Sequence, residues 1–155
     1  MKIDFNLNGR GADLEVAPGQ TLLDTLREAG AFSVKRGCET GDCGSCTVLL
    51  DGQPVNSCVV LAARAHGHRV TTMEGLLGDD LMVRLQTELV EHGAVQCGYC
   101  MPGLLISLYA LMKQEGPADE EAIRHSLTGN LCRCTGYLKP VEAARAVAAA
   151  LEVTE

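Results

Sequence analysis

The sequence predicts an α+β protein in two parts, strand-rich first and helical second, and three observations carry that prediction. Apolar residues alternate with polar ones in the early segments, they recur at helical spacing from residue 81 onward, and the eight cysteines fall into one quartet per part. The boundary is expected near residue 75, giving parts at 1–75 and 76–155.

The elements follow in order. Ile3, Phe5 and Leu7 alternate with Lys2, Asp4 and Asn6, and Ala12, Leu14 and Val16 alternate again beyond Asn8-Gly9. Asn-Gly between two such runs signals a type I′ hairpin turn, which needs φ > 0 at both central positions. Thr21 then suits a helix cap, with Asp24 three residues on, Leu22, Leu23 and Leu26 on one face, and Gly30 as the stop. A second hairpin is expected from residues 46–50, the turn Asp51-Gly52 and the run 55–60, with a further strand at 69–72.

Residues 73–80 read as a linker, GLLGDD with cap residues, after which strand periodicity does not return. Leu81, Leu85, Leu89 and Val90 fit one helical face. Pro102 suits the first position of a helix carrying Leu104, Leu105, Leu108, Leu111 and Met112, which Gly116-Pro117 ends. Asp119 opens a third helix through Leu127, and Pro140 a fourth, alanine-rich one to about Leu151. Four short helices make a small bundle whose leucine rows are its core.

Composition narrows the function. The chain of 155 residues is 46% apolar and 21% charged, ordinary for a globular protein, although its 3% aromatic content leaves little bulky core material that bound metal could supplement. A net charge of −7 argues against nucleic acid or an anionic membrane as partner, because both need clustered Lys and Arg. The start, MKIDFNL, lacks the apolar stretch of a secretory signal, and no apolar run approaches the roughly 18 residues of a membrane span. A cytoplasmic protein is therefore expected, and in a reducing compartment eight cysteines serve metal rather than disulfides.

Cys38, Cys43, Cys46 and Cys58 follow C-x4-C-x2-C with a distant fourth thiol, the spacing of plant-type [2Fe-2S] ferredoxins. Gly37, Gly41 and Gly44 give that loop backbone freedom and remove side chains, so that peptide N–H groups can point at sulfur. A zinc site would also use four thiolates but favours two short knuckles. Cys97, Cys100, Cys132 and Cys134 are less diagnostic alone, and zinc fits their spacing too. An iron–sulfur cluster is the expected occupant, because a second one-electron centre makes a relay. Both thiol pairs precede helix N-termini, whose dipoles favour an anionic cluster.

The segments QCGYCMPG (96–103) and GNLCRCTGY (129–137), with GCETGDCGSCTVLLDG (37–52), resemble the signatures of the iron–sulfur subunit of molybdenum hydroxylases, the xanthine dehydrogenase and aldehyde oxidase family. The likeness spans nearly the whole chain in order. It implies an N-terminal β-grasp [2Fe-2S] ferredoxin domain and a C-terminal four-helix-bundle [2Fe-2S] domain, the latter nearer the molybdenum. It implies a large partner subunit carrying a molybdopterin cofactor, and a further subunit carrying FAD. On this chain Gln96 would hydrogen-bond the pterin and Cys134 would be the cluster ligand next to it. Tyr99 and Met101 stand where the family commonly has Phe and Thr, and Glu39, Thr40 and Ser45 vary the first loop; no ligand is lost.

His66, His68, His92 and His125 read as surface residues beside two complete thiol sets, Arg133 as a surface cation that influences a cluster or pairs across an interface, and Asp79, Asp80, Asp119, Glu120 and Glu121 as helix-start residues. No nucleophile–base pair or nucleotide cradle is visible. The expected role is an electron-transfer subunit that does no substrate chemistry itself. A free-standing two-cluster ferredoxin and a zinc-bearing interaction module are the competing readings.

Overall fold

In the computed structural model, which describes residues 1–153, the two expected hairpins sit at opposite edges of one mixed sheet. Strand β1 (Lys2–Leu7) pairs antiparallel with β2 (Arg10–Glu15), and Asn8 and Gly9 take φ of 54° and 83°, the type I′ signature. Strands β3 (Thr47–Leu50) and β4 (Gln53–Asn56) repeat the device, with Asp51 at 50° and Gly52 at 84°. Between the hairpins lies β5 (Arg69–Thr71), parallel to β1 and antiparallel to β3, so the order is β2-β1-β5-β3-β4. Helix α1 (Leu22–Glu28) starts where Thr21 accepts the Asp24 N–H at 3.1 Å. It buries Leu22, Leu23 and Leu26 with Ile3, Phe5, Val48 and Val70. Each such side chain contributes about 1.5–3 kcal/mol on burial.

One expected strand is shorter than its apolar pattern. The run 55–60 leaves the sheet at Asn56, and Ser57–Val59 form a single 3-10 turn. The reason is local: the Ser57 N–H and hydroxyl both donate to the Cys46 carbonyl, at 3.3 and 2.8 Å, folding the chain back beneath the loop and burying Cys58.

The second part holds α2 (Asp80–Glu91), α3 (Met101–Glu115), α4 (Glu120–Ser126) and α5 (Leu138–Glu152) around Leu85, Leu89, Leu104, Leu108, Ile123 and Val147. Helix α2 lies against α3 and α5, and α4 bridges α3 to α5. Small residues on α5, namely Ala143, Ala144 and Ala148, are buried, so close helix approach substitutes for bulky aromatic filling. Helix α5 begins two residues before Pro140. Pro140 fits there because the first four N–H groups of a helix have no intrahelical partner, so a missing donor costs nothing. Its N-cap, Tyr137, is left-handed at φ 68°. Likewise α3 begins at Met101, with Pro102 second.

The two cores touch through β3. Val48 belongs to the first and Leu49 to the second, as expected for neighbours on opposite faces of a strand. Helix α3 packs on β3 and β4, and Gln114 Nε2 donates to the Gly52 carbonyl at 3.1 Å.

A polar knot ties the first turn, the α1 exit and the linker. Asn8 and Thr72 exchange hydrogen bonds, the Thr72 hydroxyl donates to Glu74, and Glu74 also accepts the Ser33 N–H at 2.8 Å and the Ser33 hydroxyl at 2.6 Å. Surrounding protein opposes ionisation of Glu74, but the Ser33 and Thr72 hydroxyls and the Ser33 N–H outweigh it and hold the carboxyl below its ordinary range. A depressed folded-state value means stability present above about pH 4, the unfolded glutamate value, and lost as pH falls through the folded one. Glu74→Gln should therefore lower unfolding stability by about 1 kcal/mol at pH 7, allowing for solvent screening at this surface site. The gap between variant and parent should close on acidification, as read by denaturant midpoints across pH.

Candidate metal centres

The loop between α1 and β3 carries the first three thiols, and its shape comes from positive φ at Glu39 (60°), Gly41 (86°) and Gly44 (67°). That path turns backbone donors onto sulfur. The N–H groups of Thr40, Asp42 and Cys43 lie 3.4, 3.3 and 3.3 Å from Cys38 Sγ, and the Cys38 N–H lies 3.4 Å from Cys43 Sγ. Gly37 is required for a different reason: a Cβ there would stand 2.6 Å from Cys43 Sγ. Donation from Thr40, by hydroxyl and N–H, and from the Cys43 N–H lowers the Cys38 thiol to about 6. Cys58 is pushed up to about 11 by burial and by the neighbouring Cys46 thiol.

In the second quartet Cys97 and Cys134 are exposed, with their sulfurs 3.6 Å apart. Cys100 caps α3, is buried, and faces Cys132; burial and that neighbour push its thiol up to about 12. Burial works the same way on Cys132, yet the Thr135 hydroxyl, with the Thr135 and Cys134 N–H groups, lowers it below the ordinary thiol value. The Tyr137 phenol pins this loop, accepting the Cys132 N–H at 2.8 Å and donating to the Asn130 carbonyl at 2.9 Å.

Sulfur lies against sulfur between Cys46 and Cys58, Cys97 and Cys134, and Cys100 and Cys132, while Cys38 and Cys43 each donate their N–H to the other's sulfur. A two-iron cluster held by four cysteines takes two thiolates per iron, so this donor set fits it. Among the described residues no three of His, Cys, Asp and Glu converge on one point as a single-ion site. The donors aimed at sulfur suit thiolates that stay anionic on binding iron.

The two thiol loops meet directly. The Leu131 N–H, one residue before Cys132, donates to the Cys43 carbonyl at 2.8 Å. Asn130, 2% exposed, extends its amide to the Gly44 carbonyl (3.2 Å) and Thr47 Oγ1 (3.4 Å). Tyr99, between Cys97 and Cys100, donates its hydroxyl to the Arg36 carbonyl at 2.6 Å, a bond that phenylalanine cannot make. Neither glycine of this seam can carry a side chain: a Cβ on Gly103 would fall on the Gly44 carbonyl oxygen, and one on Gly44 on the Gly129 carbonyl oxygen.

Residues 5–71 match the 2Fe-2S iron-sulfur cluster binding domain and residues 72–145 the [2Fe-2S] binding domain. The nicotinate dehydrogenase small FeS subunit of Eubacterium barkeri is 48% identical over 139 residues, covering 88% of each chain. The chain belongs to the iron–sulfur small-subunit family of the nicotinate and xanthine dehydrogenases. It therefore carries two [2Fe-2S] clusters, one per matched domain. The xanthine dehydrogenase iron-sulfur-binding subunit of Escherichia coli O157:H7 is 44% identical over 137 residues, covering 87% of this chain and 86% of its own. The subunit also superposes on a chain of quinoline 2-oxidoreductase from Pseudomonas putida 86 with TM-score 0.90 and 38% identity, covering 100% of this chain and 98% of the other.

Sequence reasoning missed several residues that build the subunit's centres. Asn130, Thr135 and Tyr137 stand within the 129–137 segment, and nothing local in the sequence marks them as loop-builders. Gly103 offered a signal, since glycine in the first turn of a helix is unfavourable unless something approaches closely. Of the histidines, His66, His68 and His125 are exposed and His92 is half-buried, and His66 and His68 stand against the carboxylates of Asp4 and Asp51. Gln96 is exposed, and its amide makes no hydrogen bond among the described residues. Gly103→Ala should cost about 1–2 kcal/mol, overpacking at the seam exceeding the gain in helix propensity, and should lower the melting midpoint of the holoprotein by several degrees.

Proposed function

We propose that the subunit passes single electrons from a molybdopterin-bearing large subunit, through its helical-domain cluster and then its ferredoxin-domain cluster, to FAD on a further subunit or to another acceptor. The carrying observation is the seam: two paired thiol quartets whose loops share the Leu131-to-Cys43 hydrogen bond. Cys38, Cys43, Cys46 and Cys58 hold one cluster; Cys97, Cys100, Cys132 and Cys134 hold the other. The first belongs to a domain at 1–75, the second to one at 76–155. When bound, each cluster supplies reversible one-electron storage.

The chain's own residues fit the remainder of that role. The exposed pair Cys97 and Cys134 brings the helical centre to the surface, on segments that also expose Val95 and Leu138. Apolar exposure beside a redox centre suits a permanent subunit interface better than a shuttle. Gln96, next to Cys97 and unpaired within the chain, is placed to hydrogen-bond the pterin, with Cys134 as the adjoining ligand. No helix among the described residues is long and apolar enough to cross a membrane, and we place the complex in the cytoplasm.

Metal analysis and electron paramagnetic resonance of the dithionite-reduced holoprotein test this. Two iron and two sulfide per cluster and two distinguishable paramagnets are expected, with Cys134→Ser abolishing one signal and Cys43→Ser the other. Bound zinc without sulfide would overturn the assignment, and isolation from the native host without a molybdopterin polypeptide would favour a free shuttle. Gln96→Ala should keep both signals while weakening the partner contact about two- to tenfold, the worth of one hydrogen bond.

A further inference from the structure

Thr135 Oγ1 lies 3.1 Å from Cys132 Sγ, and the Tyr137 N–H donates to the same oxygen at 3.2 Å. A hydroxyl offers one proton and two lone pairs. With the oxygen already accepting from Tyr137, the proton is left to point at the sulfur. Once Cys132 binds iron as a thiolate it has no proton of its own, so Thr135 is the donor of that pair.

The geometry is built in. Positive φ at Gly136 (61°) turns the chain ahead of α5, which brings the Tyr137 N–H back onto Thr135. The phenol of the same residue clamps the other end, holding the Cys132 N–H and the Asn130 carbonyl. Thr135 is half-buried, where competition from water is reduced. The first loop has a threonine near sulfur too, but there the single Thr40 hydroxyl proton is shared between Cys38 and the Asp42 carboxylate, a stronger acceptor than sulfur.

Taking Cys132 as a ligand of the helical-domain cluster, as proposed above, we infer that the Thr135 hydroxyl sets the reduction potential of that cluster. Reduction adds one electron and breaks no bond. It places one more negative charge on the iron–sulfur unit, and a donor at a ligand sulfur stabilises that charge more than the oxidised form. Thr135 thus makes this centre easier to reduce than it would be without the hydroxyl. It is a positioning and tuning residue, and it touches no substrate.

The test is a dithionite redox titration of the holoprotein with the two paramagnetic signals followed separately. Thr135→Val keeps the shape and removes the donor. It should lower the equilibrium constant for reducing the helical-domain cluster about fivefold, which at 59 mV per tenfold is about 40 mV, while the other cluster titrates as in the parent. Thr135→Ser should restore the parent value. An unchanged midpoint in the valine variant, an equal shift of both clusters, or a serine variant that behaves like valine would overturn the inference. Should valine prevent cluster loading, Thr135→Ala replaces it. If alanine also fails to load while serine loads, the hydroxyl holds the cluster rather than tuning it, and the inference fails. A parent protein without the second paramagnet would instead sink the two-cluster assignment itself.

Discussion

The contact on which the rest of the molecule depends is backbone against backbone: Gly44 of the first thiol loop lies on Gly103 of α3 and on residues 129–130 of the second thiol loop. Neither glycine could carry a side chain there, because a Cβ on either would fall on a backbone carbonyl oxygen. That closeness allows the Leu131 N–H to reach the Cys43 carbonyl, and allows the buried Asn130 amide to satisfy the Gly44 carbonyl. Each bond contributes about 1 kcal/mol net, but the penalty for leaving such buried groups unpaired is larger. The two loops are therefore tied to each other directly, by a backbone and a side-chain hydrogen bond. For a subunit that moves electrons between centres, fixed spacing is the property most needed.

The two centres solve the same electrostatic problem with different parts. Four thiolates concentrate negative charge, and each loop answers with donors aimed at sulfur. In the first, positive φ at Glu39 and Gly41 turns successive peptide N–H groups inward onto Cys38. In the second, Cys100 sits at the start of a fifteen-residue helix, and a threonine hydroxyl joins the peptide donors at Cys132. The outermost sulfurs, Cys97 and Cys134, are left exposed at the helical end. The chain thus exposes one thiol pair at the helical end while burying the Asn130 and Gly44 contact between its two thiol loops.

Much of this was legible in the sequence. The turns at Asn8-Gly9 and Asp51-Gly52, the Thr21 cap and the helix from Asp119 to Leu127 all came from local chemistry acting over a few residues. Where the pattern misled, a local competitor overrode it: Ser57 bonding to the Cys46 carbonyl ended β4 early, and left-handed Tyr137 started α5 ahead of its proline. Apolar periodicity carried no trace of either, since a serine hydroxyl and one dihedral do not alter it.

By itself the sequence determined the two thiol quartets, the strand-then-helix order and the redox chemistry these imply, because ligand spacing and hydrophobic period are properties of neighbouring residues. Only the tertiary structure decided which sulfurs pair, which donors reach them, and that Asn130 meets Gly44 across 86 positions of chain. Such contacts follow from how two separately formed cores come together on either face of β3. No local pattern encodes that docking, so the glycine seam became visible only in three dimensions.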